Sequence, residues 1–441
     1  MRGQVIGWPA NRMTEQMQET PFWWRAAPRP DLPRRAAPAR ADLAVIGSGI
    51  TGLVAAIHLA QAGRKVAVFE RAEIGIGASS RNAGFVGRTL KHSFGDLLRK
   101  HGATQAVEIY REMQDAFDAV GETMAAFDID CGYQTHGRLI LANTPKQYDE
   151  VVQEFRLRQT HLGNDFFALS KSELHREIAS DRYAGGVVVP DMAALHPGLY
   201  HQGLVRAAQN AGVELYPFTP ITGLIRKDDR WRVQTQDGAE TESTHVLLAT
   251  NGYSGQLFPW LQRRLIPFDA WMIATAELTP ELMQRMLPKD RTYIDNNLNI
   301  DFIRRSPDGK RVLFGGKTGT KSTVAAMARR LKGELQAILP DLTDIPLANA
   351  WTGRCAATFD LYPHLGEVEG LHYAAGYCFA GVPMGTHFGR LIANRLTGTG
   401  RRHSVFADRP FPTVPLYTGN TWFVPAMMRY YDWKDGKRHA A

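Results

Sequence analysis

From Asp42 the chain changes character: Leu43, Ala44, Val45 and Ile46 form an unbroken apolar run that stops at glycines, the pattern of a parallel strand buried on both faces. Residues 51–62 follow, with Leu53, Ile57 and Leu59 and no breaker, so a helix is predicted there, closed by Gly63. Residues 65–69 read as a second strand ending before Glu70, which completes a β-α-β unit. Further on, 96–127 and 145–160 read as helices, and 191–212 holds a proline-led turn at His196 and Pro197 with another helix that ends at Gly212. The short alternating segments 231–235, 270–278, 299–304 and 311–315 predict an antiparallel sheet with hairpin connections. Ser306-Pro307-Asp308-Gly309 is a hairpin turn. The first 40 residues are rich in Pro, Arg and Ala, but the adjacent aromatic residues Phe22, Trp23 and Trp24 need an apolar partner, so this arm is expected to lie against the body.

The sharpest chemical signal is Gly47-Ser48-Gly49-Ile50-Thr51-Gly52, between the first strand and the helix. Glycines serve the tight turn, the approach of backbone to a pyrophosphate and the packing of helix on strand, while the helix N-terminus presents free N–H groups and positive dipole to phosphate. Glu70 closes the second strand at the interval expected of a carboxylate that accepts from a ribose, with Arg71 beside it. Strand, helix, strand and acid together make this a dinucleotide site. They leave NAD and FAD both open.

Three further segments narrow the choice: Gly77-Ala78-Ser79-Ser80-Arg81-Asn82-Ala83-Gly84 with Phe85 after it, Leu247-Leu248-Ala249-Thr250-Asn251-Gly252-Tyr253, and Ala374-Ala375-Gly376-Tyr377 running through Phe379 to Gly381-Val382-Pro383-Met384. With the first motif they resemble the D-amino acid oxidase-like flavoproteins, a group that includes glycine, sarcosine and γ-glutamylputrescine oxidases. The resemblance runs over 41–400, and 420–425 with Tyr430 and Tyr431 look closest to the γ-glutamylputrescine oxidase branch. It implies an α/β protein in which an FAD-binding Rossmann-type (glutathione reductase-like) domain, 41–95, 175–255 and 345–400, is interleaved with an antiparallel-sheet substrate domain, 96–174 and 256–344. Residues 1–40 would be an arm and 401–441 a tail packed on the body. It also implies FAD as cofactor and hydride transfer from a C–N carbon to the flavin. The imine formed would hydrolyse to a carbonyl compound and an amine, with reoxidation by oxygen, giving hydrogen peroxide, or by another acceptor. The substrate would be a small amine, possibly anionic.

By this resemblance Ser79, Ser80, Arg81 and Asn82 reach phosphate and ribitol, Ala83 and Gly84 let backbone lie against the flavin ring, and Ile221, Thr250, Asn251 and Gly252 adjoin the dinucleotide. Gly381 to Met384 would offer N–H groups to the flavin pyrimidine. The sequence also departs from family patterns. The cysteine that tethers flavin in sarcosine oxidases falls at Gly353, two residues from Cys355, so FAD is expected to be non-covalent. The oxygen-activating lysine falls at Leu313, with Lys317 offset. The arginine that pairs substrate carboxylate in glycine oxidase falls at Cys355, beside Arg354. A histidine of the putrescine branch is replaced around Phe379 and Ala380. The catalytic or substrate candidates are then Arg304, whose fork suits a carboxylate or phosphonate, Tyr253 and Lys317, with Lys91, His196 and Trp271 behind them.

Composition sets the outer limits. The chain has 441 residues, enough for two units. Its net charge of +8 comes entirely from the ends: residues 1–40 and 401–441 each hold seven Lys/Arg against three Asp/Glu. The neutral body offers no basic face for nucleic acid. No apolar run is long enough to cross a bilayer, the start does not read as a secretory signal, and the three cysteines show no metal spacing, so a cytoplasmic protein without metal is expected. An aromatic hydroxylase and a flavin-binding subunit without a reaction remain alternatives; the hydroxylase lacks its Gly-Asp-Ala-Ala-type loop here.

Overall fold

A computed structural model describes residues 17–439. The β-α-β unit stands at its centre: β1 (Arg40–Ile46), α1 (Ile50–Gln61) and β2 (Val66–Phe69). β1 pairs in parallel with β2 on one side and with Glu240–Leu248 on the other, and Glu214–Tyr216 extends the sheet beyond β2. Leu371–Ala375 adds a further parallel strand beside Glu240–Leu248. Val45, Val68 and Leu247 are fully buried because helices cover the sheet, notably α1 and Gly381–Thr397. Burial on both faces explains why these strands read as apolar runs.

The second sheet has eight strands in the order Leu347–Thr358, Leu265–Thr275, Val312–Gly316, Phe302–Arg305, Thr292–Asp295, Arg138–Ala142, Gly185–Val189 and Phe167–Ser170. All neighbours are antiparallel except Thr292–Asp295 with Arg138–Ala142. The turn at 306–309 joins Phe302–Arg305 to Val312–Gly316 as a hairpin, as its residues predict. Three strand expectations change, the first being that 299–304 contributes a strand only over Phe302–Arg305. The segment 231–235 is a strand, yet it joins the first sheet, in an antiparallel meander between Ile221–Lys227 and Glu240–Leu248. Alternation reports one buried face and carries no information about which sheet supplies it. The segment 270–278 begins five residues earlier, at Leu265, and ends at Thr275. Pro267 is accepted inside this strand because only Leu347–Thr358 pairs there, leaving one edge free.

The described part of the arm is packed on both sheets. Gln18 pairs with the backbone of Ala348 and Ala350 beside the second sheet, and Trp24 Nε1 donates to Ser80 Oγ at 2.9 Å. Between them Trp23 is fully buried against Met272, Ala274, Leu313 and Trp351.

Candidate functional site

A cavity of about 500 Å3 opens where the carboxyl ends of β1 and β2 face the second sheet. Its first end is built by the glycine motif. Gly47, Gly49, Ile50 and Thr51 line it, while Gly52 turns inward: a Cβ there would stand 2.2 Å from the Gly47 carbonyl oxygen and 2.9 Å from Val45, so glycine is what lets α1 sit on β1. Glu70 accepts from Ser48 Oγ at 2.9 Å and Ser48 N at 3.2 Å, which fixes its carboxylate at the mouth of the turn. Arg71, Ile221, Thr250 and Asn251 complete this end. Asn251 Oδ1 also accepts from Gly376 N at 2.9 Å, holding two strand ends together.

The loop 77–85 crosses the cavity and is pinned from several sides. Ser79 Oγ accepts from Ile50 N at 3.0 Å, Asn82 Oδ1 accepts from Gly84 N at 2.8 Å, and Trp351 Nε1 donates to the Arg81 carbonyl at 2.9 Å. Ser79, Arg81, Asn82, Ala83 and Phe85 line the space. Arg81 spends its guanidinium on the carbonyls of Ile76 (2.6 Å) and Thr352 (3.0 Å). At the far end Phe379, Gly381, Val382 and Pro383 bring in the start of the helix Gly381–Thr397.

Caps test whether this space suits a dinucleotide. The helices starting after Ser93, Thr144, His196 and Thr323 each have a side-chain cap. α1 and Gly381–Thr397, whose first residues line the cavity, have none. Two helix starts without a cap from their own N-cap residues, that of α1 meeting Ser79 Oγ through Ile50 N, a carboxylate at the glycine turn and a pinned small-residue loop between them fit FAD.

Several expected residues lie elsewhere. Arg304 is buried and absent from the lining; its Nη1 donates to the carbonyls of Ala83 (2.9 Å) and Leu195 (2.8 Å), so it braces the loop. Gly84 also lies behind the lining, where a Cβ would meet the Leu195 oxygen at 2.1 Å. Lys317 turns away to Glu334 (3.2 Å) and Asp432 (3.8 Å). Ser80 is behind the loop under Trp24, Gly252 packs on the Cys355 carbonyl, and Met384 is fully buried in the core. Tyr253 does line the cavity, below Arg71 at 5.3 Å, and its hydroxyl accepts from Arg354 N at 3.3 Å; burial raises its pKa. His196 caps a helix through Nδ1, accepting from Leu199 N, and burial and Arg304 hold it down at about 4. Trp271 is buried with its Nε1 on the Thr320 carbonyl.

The second sheet supplies residues that sequence reading did not single out. Arg138, Met272, Ile294 and Phe302 form this wall, with Thr89 and the sequence candidate Lys91 from the loop before Phe94–Ala126. Arg138 carried a signal, a lone cation opening the apolar strand Arg138–Ala142. Cys355 and Cys378 also line the cavity; burial pushes their thiols up to about 12 and about 11. Among the described residues, Glu70 is the one carboxylate in the lining, and no group of acids, histidines and cysteines is arranged to hold a metal ion. No described helix is long and apolar enough to cross a membrane.

Residues 42–395 match the family model described as FAD dependent oxidoreductase. The chain is 28% identical over 380 residues to probable oxidoreductase OrdL of Haemophilus influenzae, covering 85% of this chain and 87% of the relative. It is 29% identical over 399 residues to gamma-glutamylputrescine oxidoreductase of Escherichia coli, covering 89% and 92%. The crystal structure of glycine oxidase from Geobacillus kaustophilus superposes with a TM-score of 0.70 at 24% identity, over 86% of this chain and 99% of that one.

Proposed function

The chain belongs to the FAD dependent oxidoreductase family, and from that premise we propose that it oxidises the C–N bond of a secondary amine or an amino acid derivative. The observation that carries this reading is the continuity of the cavity. One end has the glycine-motif helix start and Glu70, and the other is a largely apolar chamber walled by Phe85, Met272, Ile294 and Phe302 with Arg138 among them. FAD bound there would supply the hydride acceptor, with oxygen or another acceptor as the final oxidant.

The chain's own part is to bind, orient and exclude water. The apolar wall packs the substrate carbon skeleton and keeps bulk water from the reacting carbon. The amine must lose its ammonium proton before hydride can leave. Arg138 in the same wall disfavours a second cation there, and Glu70, the one lining carboxylate among the described residues, is engaged at the glycine turn. The bound amine is therefore held neutral by repulsion without a dedicated base. Uncapped N–H groups at Gly381–Thr397 favour negative charge beside them. With both lining thiols raised by burial, neither is a thiolate nucleophile, in keeping with non-covalent FAD.

The kinship to gamma-glutamylputrescine oxidoreductase and to glycine oxidase supports amines and amino acids as the class to try first. Anaerobic addition of primary amines, N-methyl amino acids, γ-glutamyl polyamines and aminophosphonates to the yellow holoenzyme is expected to bleach the flavin band with one of these classes. Absence of bleaching by all of them defeats the proposal.

A further inference from the structure

Arg138 stands in the cavity wall without a counter-ion among the described residues. Its Nε donates to Thr292 Oγ1 at 3.1 Å and its Nη1 to Thr89 Oγ1 at 3.3 Å, both neutral groups. Nη2 is buried and has no hydrogen-bond partner, and the residue is 4% exposed. The charge acting on it is a second cation, Arg88, itself held by Asp191 at 2.6 Å and Gln114 at 2.8 Å. The Phe85 ring lies 4.9 Å away. Removing a guanidinium from water without a carboxylate is costly, and an orphaned donor adds to that cost. Arg304 shows the usual remedy, backbone carbonyls on its terminal nitrogen. Arg138 has not taken it.

The surroundings point the same way. Gly87 lies beside both terminal nitrogens: a Cβ there would stand 2.9 Å from Nη1 and 3.3 Å from Nη2, so a larger residue would close the approach to them. Lys91 faces the same cavity, with its Nζ 4.7 Å over the Phe379 ring and no carboxylate paired with it among the described residues.

We infer that Arg138 is the anion anchor for the substrate: the amine carries an oxyanion, carboxylate or phosphonate, which is received by the Arg138 fork and the Thr89 hydroxyl while Lys91 adds positive charge. This deepens the reading of C–N oxidation and rests on it for the identity of the ligand. A fork of this kind discriminates strongly, because a neutral analogue leaves it unpaired.

The test is a titration of purified holoenzyme with propionate, methylphosphonate and neutral propionamide, following the perturbation of the flavin absorbance band. At least one anion is expected to give a saturable change and the amide none, and the preferred anion tells carboxylate from phosphonate. Arg138→Gln should weaken anion binding by about 10- to 100-fold, the loss of one charge-assisted contact, at unchanged FAD content. Silence toward both anions, an equal response to propionamide, or unchanged affinity in Arg138→Gln overturns the anchor. If Arg138→Gln does not retain FAD, Arg138→Lys decides on the same criterion: weaker binding without the fork supports it, and unchanged affinity refutes it. Binding needs no turnover, so the anchor and C–N oxidation fail in separate measurements.

Discussion

Two buried arginines, Arg138 and Arg304, do opposite things with the same side chain. Burial lowers both to about 10, still far above neutrality, so both are cations. Arg304 gives its Nη1 to the carbonyls of Ala83 and Leu195 and so stiffens the loop 77–85 that crosses the cavity. Arg304→Ala orphans both carbonyls and is expected to cost about 2–4 kcal/mol. Thermal melting would report the loss, and a lower ratio of flavin to protein absorbance would report the slackened loop. An effect confined to substrate KM, with melting and flavin content unchanged, would return Arg304 to substrate binding. The sequence placed Arg304 on a strand and drew attention to its fork, but which face of the strand meets which wall depends on pairing with residues far along the chain. Arg138 was passed over for the same reason: Thr89, Thr292 and Phe85, which make its environment, come from separate segments.

At the level of elements, legibility follows range. The turn from β1 into α1 was readable because its chemistry is local: the glycines, the helix start and Glu70 lie within 24 consecutive residues, 47–70. Gly52→Ala puts a Cβ against the Gly47 oxygen and Val45. Overpacking of this kind costs about 1–3 kcal/mol, and here it also tilts the N–H groups offered to phosphate. The expected result is a lower melting temperature together with poor FAD retention; normal flavin content in Gly52→Ala would show that the contact relaxes. Strand partners were less readable. Trp231 to Thr235 alternate as any half-buried strand does, and their membership of the first sheet is set by Ile221–Lys227 and Glu240–Leu248. The unexpected start of the strand at Leu265 has a similar origin, since Pro267 argues against a strand until one knows that its edge there is free.

For the molecule as a whole, a buried acidic pair should shape the dependence of stability on pH. Asp301 N donates to Asp295 Oδ1 at 3.0 Å, while Asp301 Oδ1 is buried without a partner. Burial raises Asp301 from its ordinary 3.8 to about 7, against the pull of Lys317, and raises Asp295 as well. Between those two values the folded chain holds a proton that the unfolded chain has released. The favourable contribution is therefore largest at acidic pH and is lost as pH rises through about 7. Melting temperature should fall over roughly pH 4 to 7, and Asp301→Asn, which carries no titrating group at that position, should reduce that slope. An equal slope in the variant would assign it to other groups.

The arm imposes an order in time as well as a place in space. Trp23 is made before the pocket that receives it, which needs Leu313 and Trp351, and Gln18 needs the backbone beside Asn349. At about 5–20 residues per second, ribosomal synthesis of the intervening chain takes roughly 15 to 65 seconds. Throughout that interval the tryptophans at 23 and 24 remain on a nascent chain without their final cover, an apolar surface left open until the last strand of the second sheet is made.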